Sequence, residues 1–370
     1  MKALMLVGGK GTRLRPLTFS TPKPLLPLCG VPHLKLQIAW LKKYGVTEIT
    51  LSLGYLPTQF IDCFESGEYL GVKINYVVED ELLGTAGAIK YASDSLELGQ
   101  NEDFLICNGD ILTEFKIDEL IKIHKENNAL ASIGLTEVED PSKFGVVPTK
   151  ETGEITAFVE KPKRESAPTN WINAGIYIFN PEMLDFIPEG IQSSIERDIF
   201  PFILETRGQM FAVHSKNYWM DIGTPEQYIQ ANNRILDELD NFEFRDIVLE
   251  GKTEILPNVW SSDAVVPKNG LADNLSVSGK VILGADVQIE SGVQLSNVCL
   301  GDSVSIGQNS NLNSAFIGDG SSVSHDVKIV DSAVGSNTHL GHDCVIDENT
   351  LVGSDVMVDP NITPCAERVQ

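Results

Sequence analysis

Short apolar runs alternate with stretches of helical spacing over roughly the first 235 residues of the chain. The runs Ala3–Val7, Glu48–Leu53, Lys73–Val78 and Phe104–Cys107 have the length of buried strands. Between them Leu34–Tyr44, Ala86–Ala92 and Ile117–Lys125 space apolar residues as one face of a helix requires. Such alternation predicts an α/β architecture, a parallel sheet with helices on both faces. Ligands of these sheets gather beyond the carboxyl ends of the strands. Val7-Gly8-Gly9 and Asn108-Gly109-Asp110 each stand where a strand ends, so the two turns are expected to be neighbours in space.

The last third obeys a different period. Leu283-Gly284, Leu300-Gly301, Ile317-Gly318 and Val334-Gly335 recur every 17 residues. Within each interval aliphatic residues stand six apart: Leu283, Ile289 and Leu295, then Leu300, Ile306 and Leu312, then Ile317, Val323 and Ile329. Leu340, Ile346 and Val352 continue in sixes. A hexapeptide period with Gly, Asp, Asn and Ser between its apolar members is the signature of a parallel β-helix. Chance periodicity in a β-sandwich would not restart three times. The chain therefore divides into residues 1–236, a connector over 237–280 containing Pro257, Pro267 and Asn269-Gly270, and a β-helix over 281–360.

Charge sharpens this picture. The net charge is −24 and the pI about 4.6, which excludes a general nucleic-acid or membrane-surface role. Six scattered cysteines without a CxxC pair read as reduced thiols rather than a zinc site or disulfide framework. The apolar run Ala3–Val7 is too short for a signal peptide, and no stretch approaches a membrane span, so the cytoplasm is the expected compartment. Yet no Asp or Glu precedes Glu48, while Lys2, Lys10, Arg13, Arg15, Lys23, Lys35, Lys42 and Lys43 all do. An acidic protein with a purely basic opening needs that segment to meet an anion. Gly8-Gly9-x-Gly11 follows a strand and lets backbone N–H groups approach phosphate oxygens closely. Arg13 adds a planar fork and Lys23 a point charge, both suited to phosphate. The spacing fits neither the dinucleotide GxGxxG nor the GxxxxGK[ST] loop.

The opening motif Gly8-Gly9-Lys10-Gly11-Thr12-Arg13-Leu14-Arg15-Pro16-Leu17-Thr18, followed by Thr21-Pro22-Lys23-Pro24-Leu25-Leu26-Pro27, resembles the signature of nucleoside-diphosphate-sugar pyrophosphorylases. Four more blocks match that family in order: Leu83-Gly84-Thr85-Ala86-Gly87-Ala88, Asn108-Gly109-Asp110, Phe158-Val159-Glu160-Lys161-Pro162 and Trp219-Met220-Asp221-Ile222-Gly223-Thr224-Pro225. The resemblance implies a Rossmann-like nucleotidyltransferase domain followed by a left-handed parallel β-helix. The nearest subgroup is similar to mannose-1-phosphate guanylyltransferases, implying GTP and mannose 1-phosphate as substrates and GDP-mannose as product. His33 departs from the Met common at that position.

In that family a sugar 1-phosphate oxygen attacks the α-phosphorus of an NTP in line and pyrophosphate leaves. No covalent enzyme intermediate is needed, so catalysis is positioning and charge neutralisation. By resemblance Arg13 and Lys23 hold the departing phosphates and Lys161 the attacking sugar phosphate. Leu6, Gly8, Gly9, Gly11, Thr12, Glu79, Gly84 and Thr85 would line the nucleotide, and Gly109, Gly145, Glu160, Asn173 and Gly175 the sugar phosphate. Asp110 and Asp221 are the implied Mg²⁺ ligands. Taken alone, Asp110 is equally a turn former and Glu160 equally the surface partner of Lys161. Glu79 suits guanine, whose N1–H and exocyclic amine are two donors that one carboxylate accepts together. Its competing reading is a solvated member of the acidic run Glu79-Asp80-Glu81.

Alternative readings are a glucose-1-phosphate thymidylyl- or uridylyltransferase, a bifunctional uridylyl- and acyltransferase using a β-helix histidine (His325, His339 or His342), and a regulatory paralogue without turnover. A short tail after Asp359 disfavours the acyltransferase, and intact charged motifs disfavour the paralogue. The flat side faces of a stacked coil make a homo-oligomer the expected assembly.

Overall fold

The computed structural model describes residues 1–99, 101–262 and 274–363, with the backbone of 368–369. Pro267, Asn269, Gly270 and Cys365 lie outside the described residues. Packing divides the chain into two compact units: Met1–Gly9 with Gln37–Asp221, and Lys10–Leu36 with Ile222–Gln370. These divisions fall elsewhere than the changes of period along the sequence.

The first unit is built on one sheet. Strands Lys73–Val78, Glu48–Leu53, Lys2–Leu6 and Phe104–Asn108 run parallel in that spatial order. Beyond them the expectation of a parallel sheet fails. Trp171–Phe179 pairs antiparallel with both Phe104–Asn108 and Ala131–Glu137, and Met210–Ser215 closes the far side parallel to Ala131–Glu137. An apolar run states that a strand is buried but not which way it points, so the mixed character was not written in the pattern. Helix Gly84–Ser93 turns Ala86, Ile89 and Ala92 into the core cluster that holds Leu4, Phe104 and Ile106. The small alanines bring helix and sheet close. Full burial of a side chain such as Ile89 stabilises by about 1.5–3 kcal/mol.

The second unit contains the β-helix. Successive rungs pair in parallel with the 17-residue offset, Gln294 with Asn311 and Asn311 with Lys328, and likewise Gln288, Ser305, Ser322 and His339 on another face. All the aliphatic residues of the hexads, from Leu283 to Val352, point into one core. Because the spacing stays at six after Val334, the next offset lengthens to 18, pairing His339 with Met357. The corners explain the residues between. Asp286, Ser303, Asn337 and Asp355 stack in one column and Asn309, Asp326, Asp343 and Asn361 in another, all with positive φ. Asn and Asp tolerate the left-handed region better than other side chains, so the corners select them. Strand Val259–Ser261 already pairs in parallel with Val281–Leu283, ahead of the first hexad.

The opening segment belongs to this second unit. The buried Asn232, on helix Pro225–Asp237, accepts the Cys29 N–H through Oδ1 at 2.7 Å. Tyr228 donates its hydroxyl to the Pro27 carbonyl at 2.6 Å, and Lys35 pairs with Glu250 at 2.6 Å. Ser20 Oγ lies 3.2 Å from Ser354 Oγ. Leu17, Leu25 and Leu26 line a cavity of about 370 Å³ together with Ile282, Leu300 and Phe316.

Candidate functional site

Beyond the carboxyl ends of the parallel strands the first unit carries a cavity of about 620 Å³ that opens to solvent. The two turns expected to be neighbours are so: the Gly109 N–H donates to the Leu6 carbonyl at 2.9 Å. Just after that turn, Ile111–Thr113 pairs antiparallel with Trp219–Asp221. The register sets Asp221 opposite Ile111, the residue following Asp110, and both aspartates line the cavity.

A second wall carries Glu160 and Lys161. Glu160 pairs with Gly145 in a short antiparallel ladder, and the Lys161 N–H donates to the Phe144 carbonyl at 3.0 Å. Lys161 has φ +49°, a left-handed conformation that a non-glycine residue holds only at a cost. The Phe144 ring meets Trp219 edge-on at 5.7 Å, and Trp219 Nε1 donates to the Ala174 carbonyl at 2.8 Å. These contacts tie the Asp221 strand to the segments that carry Gly145 and Asn173. Lys161 Nζ stands 3.3 Å from Glu160 Oε1, so the surface pair and the site residue are one arrangement.

The third wall is irregular. The pairing of Trp171–Phe179 with its neighbour shifts register between Asn173 and Tyr177. The Asn173 side chain accepts the Gly175 N–H at 2.9 Å and donates to the Tyr177 hydroxyl at 2.7 Å. Burial first and the Glu196 charge second push the Tyr177 phenol well up, so it stays a neutral donor. Gly84 opens the adjoining helix with φ +73°, and a side chain there would meet the Ser193 carbonyl oxygen at 2.5 Å. Only glycine serves at that position.

Asp110, Asp221, Gly145, Glu160, Lys161, Asn173, Gly175, Gly84 and Thr85 thus share one cavity. Glu79 is buried, which removes the reading of a solvated side chain. Its Oε1 accepts the Ser52 hydroxyl at 2.9 Å and its Oε2 the Leu83 N–H at 3.1 Å. A side chain on Gly8 would approach Glu79 Oε1 to 3.4 Å, so the first glycine of the opening motif adjoins the carboxylate. Gly11, Thr12, Arg13 and Lys23 are in the second unit. There Gly11 has φ +58°, and a side chain on it would press on Lys23 Cβ at 2.9 Å. Thr18 Oγ1 donates to the Gly11 carbonyl at 2.8 Å, Lys23 is buried and Arg13 is exposed.

Sequence reasoning missed Lys143, Glu196, Arg197 and Asp198, which also line the cavity. The available signal was three consecutive charges, Glu196-Arg197-Asp198, held between the apolar Ile195 and Ile199. Among the described residues no group of three or more His, Cys, Asp or Glu is placed to hold a metal. Asp110 and Asp221 nevertheless fit a hard divalent ion that takes few protein oxygens and fills its other positions from water and phosphate. Among the described residues no helix is long and apolar enough to cross a membrane.

The family model described as "Nucleotidyl transferase" matches residues 2–238, and "GMPPB C-terminal domain" matches residues 277–369. The chain is 42% identical over 307 residues to a probable mannose-1-phosphate guanylyltransferase 1 of Oryza sativa, covering 80% of each. It is 39% identical over 231 residues to the mannose-1-phosphate guanylyltransferase of Mycobacterium tuberculosis, covering 62% of this chain and 63% of that one. The crystal structure of HddC from Yersinia pseudotuberculosis complexed with GMP-PN superposes with a TM-score of 0.54 at 30% identity. That match covers 63% of this chain and 99% of the other. Nucleotidyl transferases of this kind generally use a divalent metal.

Proposed function

Because the chain belongs to the nucleotidyl transferase family, we propose that it joins GTP and mannose 1-phosphate to give GDP-mannose and pyrophosphate. The carrying observation is the cavity itself, lined by Asp110, by Asp221, whose register partner is the following residue Ile111, and by the strained Lys161. A phosphate oxygen of the sugar attacks the α-phosphorus, a P–O bond forms, and the bond to the β-phosphate's bridging oxygen breaks. Lys161 holds the attacking phosphate. Arg13 and Lys23, with the backbone of Gly8, Gly9, Gly11 and Thr12, hold the phosphates that leave. Leu6, Gly84 and Thr85 border the nucleotide, while Gly109, Gly145, Glu160, Asn173 and Gly175 border the sugar. Asp110 and Asp221 would hold Mg²⁺, which would supply charge neutralisation for the phosphates. Residues 1–236 serve as the catalytic domain, 237–280 as connector and 281–360 as the β-helix through which copies of the chain associate. The compartment we assign is the cytoplasm.

Glu79 reads the base. Its carboxylate is buried and oriented by Ser52 and Leu83, and each oxygen keeps a further lone pair. Guanine offers it two donors; thymine and uracil offer one donor between two acceptors. A bidentate contact of this kind discriminates by about 1–3 kcal/mol. Pyrophosphate release should therefore rank GTP first for the wild type. Glu79→Gln should lose roughly ten- to hundredfold on GTP and gain relative activity with dTTP or UTP. An unchanged nucleotide ranking would remove Glu79 from base recognition.

A further inference from the structure

Glu196 stands on a π-helical turn, Ile195–Ile199, a wide geometry found frequently at functional sites. Ser194 starts the turn by accepting the Arg197 N–H on its hydroxyl at 3.2 Å and donating its own N–H to Asp198 Oδ2 at 2.7 Å. The two oxygens of Glu196 are used unequally. Oε2 accepts the hydroxyls of Thr85 at 2.7 Å and Ser194 at 2.8 Å, and the Ile195 N–H locks Thr85 Oγ1 in turn at 2.9 Å. Oε1 has one contact, the Tyr177 hydroxyl, at a long 3.5 Å. One oxygen is therefore clamped, and the other keeps acceptor capacity at the wall of the cavity that also holds Glu160 and Asn173.

We propose that Glu196 is a specificity residue for the sugar, its Oε1 accepting a ring hydroxyl of the hexose 1-phosphate. A carboxylate accepts and never donates, so it selects hydroxyl donors and repels the phosphate, which Lys161 takes. Thr85 and Ser194 fix the carboxylate before substrate arrives, so little ordering remains to be done on binding. This rests on reading the cavity as the sugar 1-phosphate site.

The test is a cycle of Glu196→Gln against mannose 1-phosphates that each lack one hydroxyl, at positions 2, 3, 4 or 6. A hydrogen bond to a charged acceptor is worth about ten- to hundredfold in kcat/KM. Wild type should lose that factor on one analogue. Glu196→Gln should lose it on mannose 1-phosphate and lose little more on that same analogue, with the KM for GTP within about twofold. If the variant penalises all four analogues as wild type does, or falls uniformly on every sugar, Glu196 is structural and the proposal fails. Thermal melting checks the fold, and Glu196→Asp, which withdraws the charge by one methylene, replaces the Gln variant if that one melts early. Should wild type refuse mannose 1-phosphate with every triphosphate, the substrate reading fails by itself. The same cycle on the sugar phosphate that is used then still decides Glu196.

Discussion

Asn232→Ala tests how the opening segment is held. Asn232 is 1% exposed, and its Oδ1 receives the Cys29 N–H at 2.7 Å. Removing the amide leaves that N–H buried without an acceptor, a loss of about 1–3 kcal/mol. The Nδ2 bond to the Tyr228 carbonyl, four residues back in the same helix, is lost too. Alanine's better helix propensity returns a few tenths of a kcal/mol. The net is about 2 kcal/mol, which for a unit of this size lowers Tm by about 4–8 °C. Local opening of the segment around Cys29 should become roughly thirtyfold more frequent, read directly as faster amide exchange in a peptide covering Leu26–Leu34. Since the same segment carries Arg13 and Lys23, the KM for GTP should rise while that for mannose 1-phosphate holds. An unchanged melting curve with unchanged exchange at Cys29 would refute the reasoning.

Further outcomes follow from the same geometry. Asp110→Asn and Asp221→Asn should each cost orders of magnitude in turnover without altering the melting temperature by more than about 2 °C; near-normal rates at saturating Mg²⁺ would exclude the residue from the metal site. Lys161→Ala should raise the KM for the sugar phosphate and Arg13→Ala that for GTP, and both acting on one substrate would refute the division. His124 is buried, and burial holds its imidazole below the usual range despite Asp103 at 3.6 Å. The folded state then binds fewer protons than the unfolded one, so this stability is full above about pH 6.5 and is lost as pH falls through the depressed value. Chemical unfolding of His124→Gln between pH 7 and 5 should show a flatter acid limb than wild type.

The β-helix was legible residue by residue, because every sixth position must be aliphatic and every corner must accept a positive φ. The strands of the first unit were legible for the same reason: burial writes itself in composition. Direction was not, and the antiparallel Trp171–Phe179 shows why, since an apolar strand reads the same either way. The fate of Glu79 depended on a hydroxyl at Ser52 and an N–H at Leu83, partners that tertiary structure alone brings together. Glu196 is not legible in the sequence because three adjacent charges resemble solvent-facing sequence, and only the π-turn brings them to the cavity wall. Nor could any period reveal that Lys10–Leu36 packs with residues after Ile222.

That interleaving has a consequence for biosynthesis. The opening segment leaves the ribosome first, but Pro27 accepts its hydrogen bond from Tyr228, and Leu25 and Leu26 share their cavity with Ile282 and Leu300. At translation rates of about 5–20 residues per second, the nearly two hundred residues between Leu36 and Tyr228 take on the order of 10–40 seconds to appear. Through that interval the most basic stretch of the chain waits without its later partners while Gln37–Asp221 emerges. Synthesis of the β-helix, rather than emergence of the glycine-rich motif, then sets the moment at which this segment reaches its final conformation.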